Sequence, residues 1–187
     1  LQGEHGLSLL VDTGEHRLLF DTGASDLFIR NARILGIDLK EVDFLVLSHG
    51  HRDHTGGLHH FLAVNDKAQV VCKRELFQLK FKDERENGVM QPDALDSTRF
   101  RFVDEVTELC RGVFVFPQLP VTDEEDTHFE HFFTWAEGRK QADTFTDELA
   151  LVLKQGAEVS VLSACSHRGI TNIIRAVQEY FPQTSLK

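Results

Sequence analysis

Residues 48–57 read Ser48-His49-Gly50-His51-Arg52-Asp53-His54-Thr55-Gly56-Gly57. Four side chains of this segment can ligate a metal ion: His49, His51, Asp53 and His54. Neutral imidazole and carboxylate groups suit Zn²⁺, Fe or Mn²⁺. With this chain's composition, His-x-His-x-Asp-His would arise by chance in about two of a thousand such sequences. The pattern therefore predicts a divalent-metal site holding one or two ions, with zinc the expected metal.

The chain enters this segment from residues 42–48, an apolar run that predicts a strand buried on both faces. Alternation at the end of the strand can aim His49 and His51 in the same direction, whereas Asp53 and His54 lie beyond a turn. Two neighbouring ions are compatible with that arrangement. We expect a metal-activated water as nucleophile, with Asp53 as the catalytic residue that holds it.

Hydrophobic patterns elsewhere predict an α/β protein with mixed sheets, forming a single domain over residues 1–187. Two hairpins are expected, at residues 7–13 with 17–22 and at residues 148–154 with 159–164. Further strands are predicted at residues 69–72 and 112–117, and helices at residues 58–64 and 170–181. Residues 81–104 are charged and irregular, and are predicted to form an insertion or loop without regular structure.

Composition narrows the class of partner. The formal net charge of −10 argues against a nucleic-acid surface, which needs clustered Lys and Arg. The chain has no apolar run of about 20 residues and no recognisable leader, so no membrane association is expected. Cys72, Cys110 and Cys165 are widely spaced and odd in number, which favours a reducing, cytoplasmic compartment. A small-molecule substrate is the expected partner, and the oligomeric state stays open.

The segment at residues 48–57 resembles the signature loop of the metallo-β-lactamase superfamily. Phe20-Asp21-Thr22-Gly23 resembles the Asp-bearing strand end that precedes this loop in the family. The resemblance implies a four-layer αβ/βα sandwich with two mixed sheets and a metal-dependent hydrolase. It also implies that Asp21 supports the metal loop through hydrogen bonds. On turn chemistry alone, Asp21 could be only a turn residue.

Three further stretches resemble one subgroup, the 7,8-dihydropterin-6-methyl-4-(β-D-ribofuranosyl)aminobenzene 5′-phosphate synthase-like proteins. These stretches are Glu4-His5-Gly6-Leu7-Ser8, Asp147-Glu148-Leu149-Ala150-Leu151 and Cys165-Ser166-His167-Arg168-Gly169-Ile170. The subgroup implies an alternative activity, that of a pterin-pyrophosphate-dependent synthase. Because one scaffold hosts many reactions, the resemblance predicts the fold and the metal loop more reliably than it predicts the substrate. A phosphate-bearing small molecule, anchored by Arg52 or Arg168, fits the hydrolase hypothesis.

A site for two ions needs ligands outside the loop. His167 follows a predicted strand, as His49 does, and is the best candidate, although an isolated His is often only a surface or hydrogen-bonded residue. Cys165 could be a thiolate ligand or an inert cysteine. Asp147 could be a ligand, a supporting carboxylate or a cap.

The family usually carries a late Gly-Gly-x-His-like motif that supplies a ligand to the second metal, and this sequence has none. Either terminal segments lie outside this sequence or the second site is incomplete. The second explanation makes a catalytically degenerate metal-binding module another alternative.

Overall fold

Two five-stranded sheets and one four-stranded sheet form the framework of the computed structural model, which describes residues 1–89 and 97–187. The strands are, in chain order, β1 (Leu9–Asp12), β2 (Arg17–Phe20), β3 (Phe44–Val46), β4 (Gln69–Cys72), β5 (Lys80–Lys82), β6 (Arg85–Glu86), β7 (Phe100–Phe102), β8 (Thr107–Cys110), β9 (Val113–Phe116), β10 (Phe132–Ala136), β11 (Arg139–Ala142), β12 (Ala150–Gln155), β13 (Glu158–Leu162) and β14 (Ser185–Leu186). The α-helices are α1 (Leu27–Ile34), α2 (Arg52–Thr55), α3 (Leu58–Val64) and α4 (Ile170–Tyr180), and 3₁₀ turns occupy Leu39–Glu41, Arg74–Phe77 and Ser97–Arg99.

Both five-stranded sheets are mixed. The first has the order β1-β2-β3-β4-β7, in which β1 and β2 are antiparallel and the other pairs are parallel. The second has the order β14-β13-β12-β9-β8, in which only the β13–β14 pair is parallel. Each contains one of the predicted hairpins, β1–β2 in the first sheet and β12–β13 in the second.

Alternating side chains divide the core into three apolar clusters. On β2, Leu19 packs with Phe28 of α1 and Phe61 of α3, whereas Leu18 and Phe20 face the second sheet. The second sheet repeats this division. Its side chains toward the first sheet are Val113, Val115 and Leu151, and those that pack with Ile173 and Val177 of α4 are Phe116, Ala150, Val152 and Val159. Successive strand residues point to opposite faces, so the three clusters separate four layers. The predicted αβ/βα sandwich with two mixed sheets is confirmed.

A third sheet, entirely antiparallel, lies outside the prediction. It has the order β11-β10-β5-β6. The prediction that residues 81–104 lack regular structure was wrong for the described residues, because β5, β6 and β7 contain parts of that range. Pairing with β4 and β10, which come from other parts of the chain, orders strands with weak local patterns. Residues 90–96 lie outside the described residues.

Several other elements agree with the predicted ranges. Helix α3 and strand β4 have the predicted bounds, and α4 ends one residue before the predicted end. Helix α1 and strands β8, β10 and β11 were not predicted. Among the described residues, no helix is long and apolar enough to cross a membrane.

Candidate metal centre

The loops after β3 and β13 bring the candidate ligands together. His49 follows the end of β3, His51 precedes α2, and His54 lies within α2. His167 lies in the turn between β13 and α4. All four imidazoles are buried. The fold therefore gathers histidines from two distant segments into one protected place.

Two groups of side chains have the spacing of metal ligands. His49, His51 and His167, called here the histidine triad, offer ligand atoms that all lie within 4.8 Å of one another. The same limit holds for His49, His54 and Cys165. Since His49 belongs to both groups, the groups are adjacent. These residues could hold a metal ion.

The Nε2 atoms of the triad are buried and have no hydrogen-bond partner among the described residues. Leaving one buried polar atom unpaired costs about 1–3 kcal/mol, so three converging atoms are unfavourable without a ligand. Burial, with the charges of His167 and Lys80, lowers the pKa of His51 to about 2. Burial also lowers the pKa of His167 to about 4. Three neutral imidazoles with free lone pairs fit a divalent cation.

Hydrogen bonds fix which ring nitrogen is free. The Ser48 hydroxyl donates to Asp21, so its oxygen is left to accept the bond of 2.8 Å from His49 Nδ1. His167 Nδ1 lies 3.0 Å from the His128 carbonyl, which can only accept. Both rings therefore carry their proton on Nδ1 and leave the Nε2 lone pair free, as metal-bound histidines require.

His54 occupies the second group, and both of its ring nitrogens have partners. Its Nδ1 donates to Asp21 at 2.7 Å, while its Nε2 lies 3.2 Å from Cys165 Sγ and 3.4 Å from Asp53 Oδ2. Burial opposes ionisation of Asp53, but the neighbouring His54 outweighs burial and lowers the Asp53 pKa to about 2. Burial also disfavours the charged form of His54, but Asp21, Asp53 and Cys165 outweigh burial and raise the His54 pKa to about 12, so a metal ion would have to displace the proton on Nε2. Asp53 belongs to neither group of three, although it borders the second.

Asp21 holds the metal loop through three hydrogen bonds. Its fully buried carboxylate accepts from Ser48 N, Ser48 Oγ and His54 Nδ1, each at 2.7 Å. Its backbone has a φ of 60°, in the left-handed region that Asp adopts more readily than most residues. These hydrogen bonds hold both ends of the loop. A residue that only formed a turn would not need them.

Asp147 also contacts the loop through hydrogen bonds. Its Oδ2 accepts from Gly50 N at 2.6 Å, and its Oδ1 accepts from Lys80 Nζ at 2.8 Å. Both oxygens are therefore engaged. Of the three roles considered for Asp147, the structure favours the supporting carboxylate.

Glu148, which sequence reasoning missed, supports His167. Its two oxygens accept from His167 N at 2.8 Å and from Arg168 N at 2.7 Å. Burial raises the Glu148 pKa to about 7 against these hydrogen bonds. Its position next to Asp147 in a quoted motif was the available signal. Lys80 and Asp143 carried no comparable signal in the sequence.

The candidate phosphate anchors differ in their surroundings. The Arg168 guanidinium donates to the carbonyls of Leu119 and Thr144, each at 2.6 Å. Arg52 is exposed at the start of α2, next to Asp53 in sequence. Of the two, Arg52 is the freer to meet an anionic substrate.

Comparison with known proteins agrees with this geometry. A sequence model of the metallo-beta-lactamase superfamily matches residues 1–147. The 7,8-dihydropterin-6-methyl-4-(beta-D-ribofuranosyl)-aminobenzene-5'-phosphate synthase of Methanocaldococcus jannaschii is 28% identical over 192 residues, covering 92% of this chain and 64% of that protein. This similarity confirms the resemblance to that subgroup.

Solved structures share the fold. A protein described as a metal-dependent hydrolase of the beta-lactamase superfamily is 35% identical with a TM-score of 0.80, covering 96% of this chain and 66% of that one. A metallo-beta-lactamase from Novosphingobium pentaromativorans is 19% identical with a TM-score of 0.54, covering 96% of this chain and 68% of that one. The chain spans less than two thirds of the length of the synthase and of the hydrolase.

The family model matches 147 of the 187 residues, and these include the whole loop that carries His49, His51, Asp53 and His54. The chain therefore belongs to the metallo-β-lactamase superfamily.

Proposed function

We propose that this chain is the metal-binding core of a metal-dependent hydrolase acting on a phosphate-bearing small molecule. The observation that carries the proposal is the convergence of three buried Nε2 atoms in the histidine triad, which have no hydrogen-bond partner in the part of the chain that the structure describes. The likeness to a structure described as a metal-dependent hydrolase supports it. The three cysteines are free, which supports a reducing, cytoplasmic location.

The donor set suits zinc, with iron or manganese as alternatives. The histidine triad would hold one ion. His54 and Cys165, with Asp53 beside them, would hold a second. A bound divalent ion lowers the pKa of water toward about 7 and polarises the oxygen of a scissile phosphoryl or carbonyl group.

The protein's own groups would position the water and the substrate. Asp53 is ionised at neutral pH, because its pKa is lowered to about 2, and its side chain is 19% exposed. It would accept a hydrogen bond from the attacking water and orient it. Arg52, on the exposed side of the same loop, would pair with the substrate phosphate.

The test combines metal content with esterase activity. Purified protein should contain metal by elemental analysis and should cleave chromogenic phosphodiesters with Mn²⁺, Zn²⁺ or Fe²⁺. His51→Ala should lose most of the metal and the activity while keeping its circular dichroism spectrum. His59→Ala, which removes an exposed histidine from α3, is the matched control and should change neither. Unchanged metal content in His51→Ala would show that the assignment of the metal site is wrong.

A second candidate is a synthase that acts on a pterin pyrophosphate. The observation that favours it is the 28% identity to a protein named as a synthase. Incubation with a pterin pyrophosphate and an aminobenzene ribofuranosyl phosphate, followed by mass spectrometry, separates the two candidates. A coupled product favours the synthase, and hydrolysis products alone favour the hydrolase. Metal binding without either product would favour the catalytically degenerate module.

A further inference from the structure

We infer that Lys80 is a positioning residue for the histidine triad, acting through two buried carboxylates that hold the backbone of the metal loop and the ring stacked on His167. The inference rests on the proposed function, because it assumes that the triad binds the metal. Lys80 belongs to β5 of the four-stranded sheet, outside the sandwich that supplies the ligands.

The Lys80 side chain is 1% exposed, and its ammonium group lies between two acids. Nζ is 2.6 Å from Asp143 Oδ2 and 2.8 Å from Asp147 Oδ1. Burial lowers the pKa of Lys80, but the two carboxylates outweigh burial and raise it. A buried ammonium is costly unless it is paired and hydrogen-bonded, so the three groups depend on one another.

The first connection runs through Asp147 to the loop. Asp147 accepts from the backbone N–H of Gly50, the residue between His49 and His51. Lys80 also packs directly on this glycine, since a Cβ there would lie 3.0 Å from Lys80 Cε. The spacing of the two loop histidines thus depends on a carboxylate that Lys80 holds.

The second connection runs through Asp143 to His167. Asp143 Oδ1 accepts from Phe145 N at 2.7 Å, in a turn where Phe145 has a φ of 52°. The Phe145 ring stacks on His167 with centroids 3.8 Å apart and planes 12° apart. The same ring contacts His51 edge-on at 5.1 Å. A single ammonium group therefore connects to all three members of the triad.

Replacing Lys80 by Met keeps an unbranched side chain, shorter by the terminal nitrogen, and removes its charge. Asp143 and Asp147 would then be left buried without a counter-ion and would repel each other. Gly50 and Phe145 should shift together, and the triad should lose its spacing. Residues that orient metal ligands typically change metal affinity by about 10- to 100-fold when mutated.

The experiment measures the Zn²⁺ Kd of the full chain by competition with a chromophoric chelator. We expect Lys80→Met to raise the Kd by about 10- to 100-fold. In the metal-free protein, the Gly50 and Phe145 amides should both exchange hydrogen faster than in the parent. A residue that only stabilised the fold would not affect these two amides selectively.

Asn65→Leu is the control for general destabilisation. Asn65 is buried, and its side chain donates to the carbonyls of Leu39 and Val42, apart from the hydrogen bonds that hold the triad. This variant should unfold more easily and keep the parent Kd for Zn²⁺. If Asn65→Leu weakens Zn²⁺ binding as much as Lys80→Met does, the positioning role is wrong.

An unchanged Kd in Lys80→Met, with a parent that binds Zn²⁺, would overturn the inference. A parent that binds no Zn²⁺ would instead overturn the proposed function. If Lys80→Met does not fold, Asp143→Asn tests the inference instead. This variant keeps the shape of the side chain and removes one charge opposite Lys80. We expect about a tenfold higher Kd in that variant, and an unchanged Kd would reject the positioning role.

Discussion

His54 Nδ1 donates a hydrogen bond of 2.7 Å to the carboxylate of Asp21, which lies 33 residues earlier in the chain. The same carboxylate accepts two bonds from Ser48, whose hydroxyl in turn accepts from His49. One buried acid therefore orients His54 of the second candidate ligand group and, through Ser48, His49, which both groups share.

Asp21→Ala should weaken Zn²⁺ binding by about 10- to 100-fold, because His54 would lose its orienting hydrogen bond and Ser48, which orients His49, would lose the acceptor of its hydroxyl. The donors left unpaired should also lower the free energy of unfolding by about 1–3 kcal/mol. Chelator competition and urea unfolding measure the two effects. Asp26→Ala, which breaks only a surface ion pair with Arg30, is the control and should change little. Parent-like Zn²⁺ affinity in Asp21→Ala would contradict the orienting role.

Gly50→Ala should destabilise the metal loop through a steric clash. The added Cβ would lie 2.4 Å from the Leu76 carbonyl oxygen and 3.2 Å from Asp147 Oδ2. Overpacking of this kind costs about 1–3 kcal/mol, and each kcal/mol lowers the Tm by about 2–4 °C in a chain of this size. Gly3→Ala is the matched control, since no atom of the described residues lies within 4 Å of its Cβ position. Equal melting temperatures for the two variants would refute the steric explanation.

The Zn²⁺ affinity of the histidine triad should stay nearly constant as the pH falls from about 7.5 to about 5.5. Metal binds neutral imidazole, and a histidine with an ordinary pKa near 6.5 would take up a proton over this range. The folded protein lowers the pKa of His51 to about 2 and that of His167 to about 4, so both rings stay neutral. Calorimetric titration in a series of buffers measures this. Affinity that falls steeply below about pH 6.5 both in the parent and in Glu148→Gln, which removes the carboxyl of pKa about 7 that holds His167, would show that these rings titrate normally.

The cysteines should differ in their reaction with iodoacetamide near pH 8. Burial raises the pKa of Cys72 to about 12, so its thiol should stay protonated and unlabelled in the folded protein. Cys165 is exposed and lies beside His54, so it should be labelled in the metal-free protein. Zn²⁺ should protect Cys165 if its thiolate is a ligand. Peptide mass spectrometry measures the labelling of both cysteines. Equal labelling of Cys165 with and without Zn²⁺ would argue against its being a ligand.

The sequence by itself predicted the elements that depend on local patterns. Alternating apolar residues marked the two hairpins, and helical spacing marked α3 and α4, because side-chain periodicity is a property of neighbouring residues. The metal loop was equally predictable, since three histidines and one aspartate lie within six residues. The third sheet could not be predicted in this way, because its strands pair across long stretches of chain and have weak patterns of their own.

Only the tertiary structure decided how the candidate site is supported. Asp147 reaches Gly50 across 97 residues, and Lys80 reaches Asp147 across 67. A lysine beside a charged stretch of sequence is expected to be solvated. Lys80 is nevertheless buried, because β5 packs against the loop that carries Asp143 and Asp147. Local sequence determines which residue types can bind a metal. The packing of distant segments determines which nitrogen atoms are left free and what holds them in place, because hydrogen bonds between those segments have no periodicity in the sequence.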